Sequence, residues 1–499
     1  MSESVPSTAP ALPLPAPEDR LVQTHHHITV DGQTLSYTVT AGTVVIREEA
    51  EKVGDGVSEG EKARATIFFV AYTRDEVDDL GTRPITFAFN GGPGSSSVWL
   101  HMGLLGPRRV LMGDAGQVLP PPYRMADNQD TLLGSTDLVF IDPVSTGFSR
   151  AVPGESAKPF HGFKKDIESI GDFIRLYTTR YGRWLSPKFL IGESYGTTRA
   201  GGLADYLQSR HGFFLNGIML VSAVLNFQTL EFDPGNDLPY ILFLPSYAAT
   251  AFYHGRLPAD LQSDLRTTLA EVEAFALGDY ALALLRGDTL TPAVRADIAG
   301  RLARYTGLSY AYVEGCNLRI RDDRFVKELL RDRGRTVGRL DSRFVGIDRD
   351  HVGERAEYDP SYSAILGPYS ATLNAYVRGE LSYTNDLPYE IISERVYPWS
   401  YAQHENSYVD VGETLRRAMS QNPSLRVHIA SGYYDVATPY FATEHTLSHM
   451  QIDPSLRLNV DLSYYEAGHM MYVHGPSLSR LRQRLQEFVN TAARGTPSH

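Results

Sequence analysis

Three positions in this chain carry the residue types of an acyl-transfer nucleophile, in a usable order: Ser194, Asp435 and His469. Ser194 is the centre of Gly192-Glu193-Ser194-Tyr195-Gly196, which fits the G-x-S-x-G pattern of a strained strand-to-helix turn. The apolar run at 188–191 reads as a short buried strand, and Ala200, Leu203, Tyr206 and Leu207 at helical spacing read as the helix that follows. Small residues on either side of the serine let the chain fold back tightly and lift the hydroxyl to where a base reaches it. A serine hydroxyl is a poor nucleophile at neutral pH, so His469 would take its proton and return it to the leaving group. Asp435 would hold the imidazole in the right tautomer and stabilise its charged form. The developing oxyanion needs backbone donors. The N–H of Tyr195 is one, and that of Gly92, in the loop Asn90-Gly91-Gly92-Pro93-Gly94-Ser95-Ser96-Ser97, is the other.

These residues need a sheet to hold them. Apolar strands are expected at 85–89, 138–142, 188–191, 217–221, 426–430 and 458–462, with an amphipathic helix through Asp166, Ile170, Phe173 and Tyr177. Upstream, strands at 35–39, 44–46 and 65–72 give an antiparallel start, with a polar Gly/Glu-rich loop at 51–62. His25-His26-His27 invites a metal reading, but His26, Ile28 and Val30 alternate as a strand that ends at Asp31-Gly32. The Gly-rich loop, Asp435 and His469 each follow a predicted strand, and the order Ser, Asp, His is that of α/β-hydrolases. The expected fold is therefore an α/β-hydrolase, with a mixed, mostly parallel central sheet flanked by helices. Between Ser194 and Asp435 the chain is far longer than two βα units require. The excess is a largely helical inserted cap at 232–396, which divides the hydrolase core into 23–231 and 397–494. Residues 1–22 form a Pro-rich disordered arm. The pentapeptide Asn-Asp-Leu-Pro-Tyr occurs at 236–240 and 385–389, and both copies read as helix caps. The cap aromatics Tyr240, Phe243, Tyr247, Phe252 and Tyr253 line a pocket, pack the cap core or face a homodimer partner, with core packing favoured.

Bulk properties narrow the function. The 499 residues are 42% hydrophobic and carry a formal net charge of -12, which argues against nucleic acid or an anionic membrane surface as partner. No apolar stretch is long enough to span a membrane, and no secretory signal is visible. The single cysteine, Cys316, permits no intrachain disulfide and has no partner motif for catalysis. A cytoplasmic setting is the resulting expectation. No metal or organic cofactor is implied.

The motifs together resemble the serine carboxypeptidase family, which includes cathepsin A and carboxypeptidase Y. The loop at 90–97 matches N-G-G-P-G-x-S-S. Residues 142–149 are similar to D-x-P-x-G-x-G-F-S, and Gly192–Gly196 matches G-E-S-Y-[AG]. Gly432–Asp435 resembles G-x-x-D, and Gly468-His469-Met470 matches G-H-M. The resemblance implies peptide substrates with a free C-terminal carboxylate, bound by Asn90 and a protonated Glu193, and activity favoured at acid pH. Two departures stand out. Ala88 occupies the place of a family tryptophan, and Ser95 that of a cysteine. With no disulfides and no signal, a bacterial-type member is implied. An esterase, amidase or acyltransferase with the same triad is the alternative, and a non-catalytic binding protein is the third reading.

Overall fold

The computed structural model describes residues 16–51, 57–113 and 117–494. Strands without a polar face build its centre: β4 (Ile85–Phe89), β5 (Asp137–Ile141), β6 (Lys188–Ser194), β7 (Gly217–Ala223) and β8 (Arg426–Gly432) are almost wholly buried. They follow three longer strands, β1 (Arg20–Val30), β2 (Gln33–Glu51) and β3 (Ser58–Arg74), and precede β9 (Val460–Tyr465). The order across the sheet is β1-β2-β3-β5-β4-β6-β7-β8-β9. Pairing is antiparallel from β1 to β5 and parallel from β5 to β9. A chain that goes from β4 outward to β5 and back across to β6 reverses direction at β4. Open α/β sheets place ligands at such a reversal, outside the carboxyl ends of the strands.

Alternation along each strand feeds two cores. Leu138 and Phe140 join one cluster, with the helices α4 (Pro360–Gly379) and α5 (Gly475–Ala493). Val139 and Ile141 join the other, with α1 (Phe163–Arg180) and α2 (Tyr195–His211). Burial on both faces explains the unbroken apolar runs of the parallel strands. This is the α/β-hydrolase fold, a mostly parallel mixed sheet between helices.

The region between β7 and β8 is mainly helical, but it is not one separate cap: α4, within the predicted 232–396, packs in the sheet cluster, and only the part before it builds a further cluster, shared with Tyr433, Tyr434, Val436 and Tyr440. The helix α3 (Leu238–Tyr253) packs Phe243 and Tyr247 there, against Leu269, Leu302 and Phe325. Tyr240 and Phe252 pack on that core partly buried, while Tyr253 is exposed. Cys316 is buried in the same cluster.

Several expectations need correction. The 51–62 segment is less a loop than the end of a hairpin, because Ser58 onward is strand and Lys62 lies opposite Glu48 in register. Residues 52–56 lie outside the described residues. Only the first Asn-Asp-Leu-Pro-Tyr copy opens a helix, with Asp237 at its N-cap. In both copies the Asn side chain accepts from the backbone N–H two residues on, but no helix follows residues 385–389 directly. The shared signal is thus a local Asn turn, which helices use but do not own. Strand β9 begins at Val460 because 454–459 make a 3-10 turn. Strand β1 starts at Arg20, inside the predicted arm, and residues 1–15 lie outside the described residues. His26 sits in β1 stacked on Tyr37, with ring centroids 5.7 Å apart.

Candidate active site

The nucleophile turn begins with backbone strain. Ser194 has φ 58° and ψ −131°, a region that non-glycine residues occupy only when the surroundings enforce it. The enforcement is close packing. A Cβ on Gly192 would lie 2.2 Å from the carbonyl oxygen of Gly196, and one on Gly91 would lie 2.5 Å from the N of Tyr195. Glycine at these two positions lets β6, α2 and the loop after β4 meet backbone to backbone. Ser194 thereby stands at the carboxyl end of β6. With Gly92, Glu193, Tyr195 and His469 it lines a cavity of about 560 Å³.

The acid and the base come from the two strands beyond. Asp435 follows β8 and is fully buried, and its carboxylate is saturated. Oδ1 accepts from the backbone N–H groups of Ala437 (2.8 Å) and Thr438 (2.9 Å). Oδ2 accepts from Thr438 Oγ1 (2.8 Å) and from His469 Nδ1 (2.7 Å). With Nδ1 committed to the carboxylate, Nε2 of His469 is left to act as base. The backbone of His469 is fixed at both ends: its N–H donates to Leu340 O (2.7 Å) and its carbonyl accepts from Ser222 Oγ (2.6 Å). Burial lowers the imidazole's proton affinity, but the charge and hydrogen bond of Asp435, with the charge of Glu193, outweigh it and raise the pKa above the ordinary value.

Two donors are available for an oxyanion. Tyr195 is the first residue of α2, so its N–H belongs to those a helix leaves without an intrahelical acceptor. Gly92, with φ +102°, lies in the loop after the adjacent strand β4. Both line the cavity.

Glu193 is the unusual group. It is 3% exposed, and each of its oxygens receives one donor: Oε1 from Asn90 Nδ2 (3.1 Å), Oε2 from Tyr472 Oη (2.5 Å). Burial pushes its pKa up to about 7, against the lowering influence of His469 and of the Tyr472 hydrogen bond. A carboxyl raised this far keeps its proton to a higher pH than an ordinary glutamate does. Asn90, for which the resemblance implies contact with a substrate carboxylate, has no exposed surface; its Nδ2 is given to Glu193 and its Oδ1 accepts from the N–H of Leu100 (3.1 Å). Ala88 is fully buried within β4, between Phe140 and Ile191 of the neighbouring strands. The tryptophan that lines the cavity is Trp99, whose Nε1 donates to Ser95 Oγ (2.9 Å).

Sequence reasoning missed Trp99, Tyr472 and Thr438. Thr438 had a partial signal, since an Asp in a turn accepts from backbone N–H groups a few residues on, which brings that stretch against its carboxylate. Tyr472 had none beyond its nearness to His469. The cavity's other aromatics are Phe227, Phe232, Tyr362 and Tyr401, not the cap residues singled out from the sequence. Among the described residues no group of three or more His, Cys, Asp or Glu is placed to hold a metal ion, and no helix is long and apolar enough to cross a membrane.

Residues 48–229 match the family model described as serine carboxypeptidase. Over 162 residues the chain is 29% identical to the pheromone-processing carboxypeptidase KEX1 of Saccharomyces cerevisiae, a match that covers 31% of this chain and 20% of that protein. The chain thus spans only a fifth of the length of the curated relatives it matches. The crystal structure of the KEX1 prohormone-processing carboxypeptidase from the same yeast superposes with a TM-score of 0.51 at 14% identity, covering 91% of each chain. At that identity the superposition establishes a common fold.

Proposed function

We propose that this chain, a member of the serine carboxypeptidase family through residues 48–229, hydrolyses the last peptide bond of substrates with a free C-terminal carboxylate. The observation that carries the reading is Glu193, a buried acid on the wall of the cavity that holds Ser194 and His469. As the acid, Glu193 donates a hydrogen bond to the substrate carboxylate. Ser194 Oγ attacks the adjacent carbonyl carbon while His469 Nε2 takes its proton. The tetrahedral oxygen draws on the N–H groups of Gly92 and Tyr195. Collapse breaks the C–N bond, and His469 returns the proton to the leaving amino acid. Water then repeats the sequence on the acyl-enzyme and frees Ser194.

The sign of the pH dependence follows from Glu193. Two carboxylates in contact share one proton, so binding is favoured below the acid's pKa and lost as pH rises through it. The test is release of the terminal residue from an N-acylated Phe-Leu between pH 4 and 8, beside its C-terminal amide and a simple ester, with Ser194→Ala as control. Preference for the free acid that fades above about pH 7 is expected. Equal turnover of acid and amide at every pH would refute the carboxypeptidase reading and leave an esterase or amidase.

A further inference from the structure

The two oxyanion donors lie on segments far apart in sequence: Gly92 in the loop after β4, Tyr195 at the first turn of α2. Arg199 spans them from below. It sits five residues past Ser194 on α2 and has no exposed surface. Its Nη1 donates to the backbone carbonyl of Asn90 (2.6 Å), two residues before Gly92. Its guanidinium carbon lies 5.4 Å from the ring centroid of Phe89, the last residue of β4, and 5.3 Å from that of Tyr195. Asp166, in the first turn of α1, takes the fork, with Nε to Oδ2 at 2.8 Å and Nη2 to Oδ1 at 3.1 Å.

A fully buried ion pair is a poor way to stabilise a fold, because apolar residues of similar volume usually do as well or better. Its position here offers a local reason. The Asn90 carbonyl shares a rigid peptide plane with the Gly91 N–H, so holding that oxygen fixes how the chain enters Gly91, and Gly91, packed against the backbone of Glu193 and Tyr195, carries the plane of the Gly92 N–H. The same planar group stacks near Tyr195, whose own N–H is the other donor. Only a guanidinium supplies the fork for Asp166, a third N–H for Asn90 and a flat face at once; a lysine does not.

We propose that Arg199, neutralised by Asp166, is a positioning residue that sets the spacing of the Gly92 and Tyr195 oxyanion donors. The inference rests on the acyl-transfer half of the reading above, not on the choice between peptide and ester. Its test is steady-state kinetics on the blocked dipeptide and the ester for two variants. The first is Arg199→Met with Asp166→Leu, which removes both charges and leaves neither unpaired. The second is Arg199→Lys, which keeps the ion pair but not the fork, and it decides the matter if the double variant does not fold. The expected result is a fall in kcat of at least tenfold on both substrates, with KM changed less than threefold and the preference for a free carboxylate intact. A folded variant with kcat within twofold of wild type overturns the proposal, as does a loss confined to KM for the free acid, which would place Arg199 behind Glu193 instead. Should the wild-type enzyme not distinguish acid from amide, the carboxypeptidase reading fails and the ester kinetics still judge Arg199.

Discussion

At the scale of single residues, what distinguishes this site from a generic serine hydrolase centre is the use of burial on two ionisable side chains with opposite requirements. In the proposed reaction His469 must be neutral at Nε2 to accept a proton, and Glu193 must be protonated to donate one. Asp435 holds the first in register at 2.7 Å, and the low-dielectric wall of the cavity holds the second near neutrality. Their charges act on each other, so the pH profile belongs to the pair rather than to either group. The Glu193→Gln variant separates them. Its amide keeps donors for a substrate carboxylate but does not titrate. The alkaline fall in kcat/KM above about pH 7 should disappear while activity on the free acid persists within about tenfold, a loss set by one altered hydrogen bond of roughly 1 kcal/mol. An unchanged alkaline limb would mean that the fall arises elsewhere than at Glu193. Glu193→Ala, by contrast, should abolish the preference for acid over amide.

At the scale of elements, the loop after β4 is held more firmly than its glycines suggest. Ser97 donates to Asp142 Oδ1 from both its N–H and its Oγ, each at 2.8 Å, which joins the loop to the end of β5. From the other side, residues 390–393 lie across it: Ser96 N–H donates to Ile391 O (2.9 Å) and Ser393 N–H to Gly94 O (2.9 Å). Asp142 is fully buried, and burial raises its pKa to about 6. Asp142→Ala would leave the buried Ser97 N–H without an acceptor, at a cost of about 1–3 kcal/mol. The expected outcome is a lower melting temperature together with a fall in kcat on every acyl substrate; a melting loss with kcat intact would show that the loop keeps its shape without this anchor. Legibility in the sequence follows the same physics. Strands β4 to β8 could be read because burial on both faces leaves them few polar residues to confuse the pattern. The 58–62 end of the β2–β3 hairpin could not, because it is exposed and charged on both sides. The loops that carry Ser194, Asp435 and His469 were legible from their motifs. Arg199 and Asp142, although their segments were in view, look like ordinary surface charges until the packing around them is seen.

At the scale of the molecule, the helical insertion is a working part of the site rather than a detachable lid. Its segment 339–343 runs between the two catalytic loops. Arg339 O accepts from Val436 N–H (3.1 Å), Leu340 O from His469 N–H (2.7 Å), and Ser342 N–H donates to Tyr434 O (3.0 Å). Arg343, buried and paired with Asp341, donates Nη1 to Glu466 O (2.9 Å). The apolar cluster of the insertion also continues into Tyr433, Tyr434, Val436 and Tyr440, which flank Asp435. A cap core and a catalytic loop that share one cluster should unfold together. Leu269 tests this, being fully buried in the insertion and not among the residues that line the cavity. Leu269→Ala removes a buried side chain and should cost about 2–5 kcal/mol. Calorimetry should show the entire transition moved to lower temperature as a single peak, with loss of activity on heating following the same curve. Two resolved peaks, with only the lower one displaced and activity surviving past it, would mean that the insertion melts on its own and that the hydrogen bonds of 339–343 do not hold Asp435 and His469 in place.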